Sequence, residues 1–445
     1  MLGMVRSVRS GLVRNRFLSV APLKVAICGA GTVGGGVIEI LSKRQDEVSS
    51  LKRRLEVSKI LVRDVSKKRD FEGIPSDCVF TDSVDDVIND EDVDVVVELV
   101  GGVDVAKELT LGALAKGKHV VSANKALIAA HGEDIVNVMN ENPSAKFGFE
   151  ASVCGGIPVI HALQRDFLPD RVKRLSGVFN GTTNFILSSM ELQGRGYDEV
   201  LKEAQDLGFA EADPTADVGG FDARSKLCIL ARLALGVRLN ESEVPLTGMQ
   251  AISKDDFDYA KKLNCSIKLL GVVSKSNSGK INAYVSPMLV PMDNSISKIH
   301  GATNIVEVMS ESLQRSFLIG EGAGRYPTAN SVVSDLFQIA NGVASDEAFP
   351  LEDNTSEYES NFEGNFYVRI QVKDELGIIR RCGGLCEKHG ISVHAIYQEP
   401  IRDSANMPFV LSTETTRHEN VVALCDDLEK EKFVVERPFS MPFLH

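Results

Sequence analysis

The chain has 445 residues, 43% hydrophobic and 25% charged, which is the make-up of a globular protein with room for several cores. A formal net charge of −13, with no strongly basic block beyond the first 22 residues, argues against a nucleic-acid partner. No apolar run reaches the roughly 18 to 20 residues that cross a bilayer, and eight scattered cysteines without C-x-x-C or ligand-spaced histidines argue against a disulfide framework and a zinc site.

Residues 1–22, "MLGMVRSVRSGLVRNRFLSVAP", carry four Arg and three Ser, and the first acidic residue of the chain is Glu39. Such a start reads either as an organellar transit peptide or as a basic extension. The expected location is cytoplasmic, or an organellar matrix (mitochondrion or plastid) if the segment is a transit peptide, and not secreted.

From residue 23 to 150 short Val- and Ile-rich runs alternate with helical stretches. "KVAIC", "SKILVRD", "VDVVVELV", "KHVVSAN" and "AKFGFEA" read as strands, with helices at "VIEILSKRQDEVSSLKRRL" (37–55) and "VAKELTLGALAKG" between them. That alternation predicts βαβ units and a parallel, Rossmann-type α/β sheet. Residues 151–343 change character, with longer strands at "RVKRLSGVFNG", "CSIKLLGVVSK" and "KINAYVSPMLV" and helices near 183–193, 197–206, 222–235 and 252–264. They predict a second, α+β domain, closed by a helix over 327–343 that packs back on the first. The acidic stretch 344–365 reads as a linker. Residues 366–445 follow a β-α-β-β-α-β order, the ferredoxin-like signature.

Five stretches carry chemistry. In "VAICGAGTVGGG" a strand runs into the turn Gly29-Ala30-Gly31-Thr32-Val33-Gly34 and then a helix, where a pyrophosphate can approach backbone amides at a helix N-terminus. The end of the second strand, "ILVRDVSKKR", places Arg63 next to Asp64; arginine suits a 2′-phosphate and an acid suits a ribose hydroxyl. The following Lys67, Lys68 and Arg69 favour NADP(H), with NAD(H) left open. In "VVSANKALIAAHG" Lys125 follows a strand end that faces the cofactor crevice, and reads equally as a surface lysine.

In "GFAEADPTADVGGFDARSKLCILARLALG", Glu211, Asp213, Asp217, Asp222 and Lys226 fall close together. Asp222, Lys226, Ile229 and Leu233 share a helical face, so the pair continues an apolar stripe. Desolvation disfavours the ammonium while the carboxylate restores it, a combination suited to a lysine that transfers a proton. The bland reading is an Asp N-cap with a routine i,i+4 ion pair. In "FEASVCGGIPVI" a glutamate and a Gly-Gly-x-Pro turn could offer oxygens to a cation or could simply cross between domains. In "IGEGAGRYPTANSVV" Gly320, Gly322 and Gly324 allow close approach to a ligand before a helix.

Taken together, "GAGTVGGG", "VVELVGG", "VVSANKALIA", "FEASVCGGIPVI", "FNGTTNFIL", "DPTADVGGFDARSKL" and "GEGAGRYPTANSVVSDL" give residues 23–445 a specific resemblance. The chain resembles homoserine dehydrogenase in its monofunctional form with a C-terminal ACT domain; no aspartate-kinase region is visible. The resemblance implies reversible NAD(P)-linked reduction of L-aspartate 4-semialdehyde to L-homoserine, toward threonine, methionine and isoleucine. It implies Lys226 as proton donor and Lys125 as a positioning or catalytic lysine. Glu211, Asp222, Asp217, Asn180 and Thr182 would contact the substrate. Val100, Gly101, Ser122, Gly208, Gly322 and Gly324 would line the cofactor beside Arg63 and the glycine-rich turn. Glu150, Val153, Gly155 and Ile157 would hold a sodium ion, mostly by backbone carbonyls.

The resemblance also implies a homodimer or homotetramer, and threonine as effector of the ACT domain. That domain's "KDELGIIRRCGGLCEKHGISVHAIYQE" departs from the family pattern at Glu375-Leu376, where x-Pro is usual before Gly377, and "STETTRHEN" is shifted from the usual Thr-His. A non-catalytic amino-acid sensor on the same scaffold is the competing reading.

Overall fold

Leu23–Cys28 (β1) is buried along nearly its whole length, as a parallel strand covered on both faces must be. It lies in a six-stranded parallel sheet with β2 (Leu55–Leu61), β3 (Val79–Thr81), β4 (Val95–Glu98), β5 (His119–Ser122) and β6 (Phe147–Gly148), in the order β3-β2-β1-β4-β5-β6. The order reverses between β1 and β4, which opens a crevice at the C-terminal strand ends. Helices α1 (Thr32–Arg44), α2 (Asp85–Ile88), α3 (Asp104–Ala115) and α4 (Lys125–Glu141) connect the strands. The structure, a computed structural model, describes residues 21–48, 51–69, 71–276, 279–350, 356–400 and 403–444. Of the Arg-rich start, residues 1–20 therefore lie outside the described residues. Among the described residues no helix is long and apolar enough to cross a membrane.

The helix expected over 37–55 is shorter than its periodicity suggested. It ends at Arg44, with a single 3-10 turn at Gln45–Glu47. Topology is the reason: β2 must start level with β1, and Leu55 pairs with Leu23 in parallel register; residues 49–50 of the expected helix lie outside the described residues.

The second domain holds α5 (Val159–Arg165), β7 (Val172–Val178), α6 (Gly181–Gln193), α7 (Tyr197–Asp206), α8 (Thr215–Val218), α9 (Phe221–Leu235), α10 (Lys254–Lys262), β8 (Cys265–Lys275) and β9 (Ile281–Pro291). A hairpin the sequence reading did not anticipate, β10 (Thr303–Ser310) and β11 (Arg315–Glu321), completes an antiparallel sheet in the order β11-β10-β7-β8-β9. The closing helix α11 (Arg325–Asn341) does pack on the first domain. Gly36 of α1 makes this possible: a Cβ there would stand 2.9 Å from the Ala329 Cβ.

The stretch expected as a linker is pinned at both ends. Phe349 packs on Phe149 with ring centroids 5.2 Å apart, and Phe362 stacks on Tyr284 at 3.6 Å. After β12 (Glu363–Gly364) come β13 (Phe366–Val372), α12 (Ile378–Lys388), β14 (Val393–Gln398), β15 (Met407–Thr413), β16 (Thr416–Arg417), α13 (His418–Leu428) and β17 (Phe439–Pro442). The four long strands form an antiparallel sheet in the order β14-β15-β13-β17, the arrangement of a β-α-β-β-α-β unit. The unit is tied to the second domain by buried polar groups. Asp256 accepts from Tyr367 at 2.8 Å and pairs with Arg369 at 3.1 Å.

Candidate active site

The glycine-rich turn is built as the spacing requires. Gly29 has φ +104°, and a Cβ on it would strike the Leu99 carbonyl oxygen at 2.5 Å; a Cβ on Gly34 would strike the Gly29 carbonyl oxygen at 2.0 Å. Gly31 caps α1 with no side-chain hydrogen bond and no acidic residue in the first turn. Ala30, Thr32 and Val33 are exposed or half-buried beside it, so the helix N-terminus is open to a phosphate.

A cleft of about 1070 Å³ lies between this domain and the second, lined by Lys125, Asn180, Thr182, Gly208, Glu211, Asp217, Asp222, Lys226, Gly322 and Gly324 among others. The cleft thus gathers residues from six separate stretches. Its centre is Asp222. One carboxylate oxygen takes a hydrogen bond from Lys226 Nζ at 2.8 Å, and the other pairs with Lys125 Nζ at 2.9 Å. Lys125 is the first residue of α4 and Asp222 sits in the first turn of α9, so the bridge joins the two domains. The N-cap of α9 is Gly220 at φ +84°, not Asp222, whose carboxylate is turned to the lysines.

Lys226 Nζ also donates to the Phe179 carbonyl at 2.8 Å. Burial opposes its charge most strongly, but Asp222, with Cys154 and Asp217 beside it, together outweigh burial and hold the ammonium above its ordinary value. Burial likewise opposes the Asp222 carboxylate, and the two lysines hold it well below the usual range. Burial raises Asp217, with the neighbouring Asp222 charge adding to it against a hydrogen bond from Asn180. Asn180 Oδ1 caps α6 by accepting from Thr183 N, which fixes its amide; Nδ2 then donates to Asp217 at 2.7 Å and to Asp222 at 2.9 Å. Thr182 Oγ1 donates to the Phe209 carbonyl at 2.6 Å, holding the loop of Gly208 and Glu211 against the cleft. Glu211 is exposed and open to a ligand.

Arg63 and Asp64 stand just beyond β2, both exposed. Asp64 is occupied by its own turn: Ser66 N and Oγ donate to it at 2.9 and 2.6 Å. Val100 and Gly101 (φ +72°) follow β4 directly, at the C-terminal strand ends where the sheet order reverses. Ser122 is fully buried, and its hydroxyl donates to Glu98 at 2.6 Å, so it stands behind the cofactor crevice wall.

Glu150 is buried, yet its carboxylate is spent on protein. It accepts from Ile160 N at 3.0 Å and His161 N at 2.6 Å and pairs with His161 Nδ1 at 3.0 Å. His161 reaches Asp335 at 2.7 Å on its other side; burial works against its charge, but the two carboxylates push it up to about 9. The Gly155 carbonyl accepts from Ser331 Oγ at 2.7 Å and the Ile157 carbonyl from Val159 N at 2.8 Å. The Glu150 side chain is thus taken up by protein partners. Among the described residues no group of three or more His, Cys, Asp or Glu is placed to hold a metal.

A family model described as "Homoserine dehydrogenase" matches residues 158–337, and one described as "Homoserine dehydrogenase, NAD binding domain" matches 29–146. The chain is 40% identical over 386 residues to homoserine dehydrogenase of Bacillus subtilis, covering 85% of this chain and 88% of that one. The chain belongs to the homoserine dehydrogenase family. It is 39% identical to the Pseudomonas aeruginosa enzyme, covering 92% and 96% of the two chains. Among solved structures, a homoserine dehydrogenase from Thiobacillus denitrificans superposes with a TM-score of 0.87 at 33% identity, covering 95% of this chain and 98% of that one. A hyperthermophilic archaeal homoserine dehydrogenase in complex with NADPH superposes at 0.60 with 27% identity, covering 72% and 97%.

As a homoserine dehydrogenase the chain is an NAD(P)-dependent oxidoreductase of amino-acid biosynthesis, and the sensor reading finds no support. Sequence reasoning missed Glu98, His161 and Asp335. Glu98 had a local signal, a lone carboxylate ending an all-valine strand. His161 and Asp335 had none, because they meet only after α11 folds back.

Proposed function

We propose that Lys226 is the proton donor in the reduction of L-aspartate 4-semialdehyde, and that the Lys125–Asp222–Lys226 bridge organises the substrate. The single observation that carries this reading is one buried carboxylate shared by two lysines from facing domains. When bound, the nicotinamide supplies the hydride. Charge then develops on the carbonyl oxygen, and a cationic Lys226 facing the cleft can protonate it. Asp222 keeps that lysine charged until the proton is needed. Glu211 and Asp217 offer carboxylates to the substrate's ammonium group, and Asn180 orients Asp217 and Asp222.

NADP(H) is the preferred cofactor in this reading. Asp64 is satisfied by Ser66, which leaves Arg63 to meet a 2′-phosphate. The archaeal relative bound to NADPH is consistent with this. A sodium ion on the carbonyls of Glu150, Val153, Gly155 and Ile157 would brace the turn before α5. We assign a regulatory ACT role to the unit formed by residues 366–445, with threonine as its effector; its β-α-β-β-α-β order and the left-handed Gly377 (φ +89°) support this. Assembly through β11, an edge strand with Ile319 exposed, suits a homodimer or homotetramer.

The test is oxidation of NADPH and NADH with L-aspartate 4-semialdehyde, with and without sodium and L-threonine. Turnover with preference for NADPH is expected. Absence of turnover in protein that binds NADPH would overturn the reading.

A further inference from the structure

Strand β4 reads Val95-Val96-Val97-Glu98, and all four residues are buried. A carboxylate in that place is costly unless hydrogen bonds replace its water. Among the described residues no lysine or arginine pairs with it. Ser122 Oγ instead donates to Glu98 Oε2 at 2.6 Å, and Val100 N donates to Oε1 at 3.0 Å. Burial raises the carboxyl, and the hydrogen bonds from Ser122 and the Val100 amide work against it.

These partners belong to two loops at the cofactor end of the sheet. The first, residues 99–102, carries Gly101 and Gly102 at φ +72° and +73° and presses on the glycine-rich turn at Gly29. The second leads into α4 and Lys125. Ser122 Oγ accepts from Asn124 N at 3.1 Å, and Asn124 Nδ2 returns to the Gly102 carbonyl at 2.7 Å. Asn124 Oδ1 caps α4 by accepting from Leu127 N at 3.1 Å. The chain of bonds closes a ring in which Glu98 is the hub.

We propose that Glu98 is a positioning residue: its buried carboxylate fixes the cofactor loop 99–102 relative to Lys125, so that cofactor and lysine meet the same substrate atom. The proposal rests on the homoserine dehydrogenase reading. It gives the only charged residue of β4 a task in turnover beyond filling space.

Two variants separate the arms of the ring. Glu98→Gln replaces one acceptor oxygen by a donor with little change of shape, and should raise the NADPH Kd and lower kcat, each by about tenfold. Ser122→Ala removes only the arm toward Asn124, and should lower kcat about tenfold while leaving the NADPH Kd unchanged. NADPH binding by fluorescence, kcat with L-aspartate 4-semialdehyde and thermal unfolding are read on the full chain. Lowered unfolding temperatures with Kd and kcat both at wild-type values would overturn the positioning role. If the wild type binds NADPH but does not turn over, the functional reading fails instead. The Kd of Glu98→Gln still decides whether Glu98 sets the cofactor loop; if Glu98→Gln does not fold, a wild-type kcat in folded Ser122→Ala overturns the positioning role.

Discussion

Lys125 of the first domain and Asp222 of the second meet at 2.9 Å across the cleft. The same carboxylate binds Lys226 at 2.8 Å one helical turn away. One buried acid therefore does two jobs: it ties Lys125 of one domain to α9 of the other and favours the charged form of Lys226, the proposed proton donor.

Acid stability follows from Asp222. Its carboxyl is held below the usual range in the folded state: burial opposes this, and Lys226 and Lys125 outweigh it. A depressed folded-state value contributes stability above the unfolded value, about 4, that is lost as pH falls below it. Asp222→Asn should flatten that part of the profile and cost roughly 3 kcal/mol at neutral pH, because it leaves two lysines without their acid. Thermal unfolding against pH for both proteins checks this; parallel profiles would contradict it.

Cofactor choice should lie in Arg63. Arg63→Ala is expected to raise the KM for NADPH by about 10- to 100-fold, the loss of a charge-assisted hydrogen bond, and to leave the KM for NADH nearly unchanged. Equal effects on both cofactors would move the 2′-phosphate contact elsewhere, with Lys67 and Lys68 next to be tested.

The sequence made the site legible where one short segment held both the chemistry and its geometry. The glycine-rich turn and the Asp222/Lys226 pair are of that kind, because helix and turn spacing fix which atoms can meet. Lys125 was ambiguous, since nothing local says that α4 faces α9 across a cleft. The reading of "RVKRLSGVFNG" and "CSIKLLGVVSK" as strands held, while β10 and β11 went unnoticed. The Arg315–Glu321 edge strand is only partly buried and lacks a clean alternation. The helix read through residue 55 failed for a long-range reason, the parallel register of Leu55 with Leu23. The acidic stretch after α11 looked free because its two anchors, Phe349 and Phe362, are single aromatics in a polar setting.

The C-terminal unit should be coupled energetically to the second domain. Arg369→Met would leave Asp256, which is fully buried, without its charge partner. The expected cost is about 3 kcal/mol, seen as a lower unfolding temperature of the whole chain. Asp256 also accepts from Ser253 N at 2.8 Å and Ser253 Oγ at 3.1 Å, and an unchanged midpoint would mean that these and the Tyr367 hydrogen bond suffice.

The central claim is proton donation by Lys226, and Lys226→Ala tests it most directly. Asp222 keeps Lys125 as partner in this variant, so the fold should survive. Stopped-flow and steady-state reduction of L-aspartate 4-semialdehyde with NADPH should show kcat lowered by about 10²- to 10⁴-fold, the usual worth of a general acid, with the NADPH Kd unchanged. A kcat within about threefold of wild type in folded protein, well short of that range, would contradict the account and return the proton-donor role to another group in the cleft.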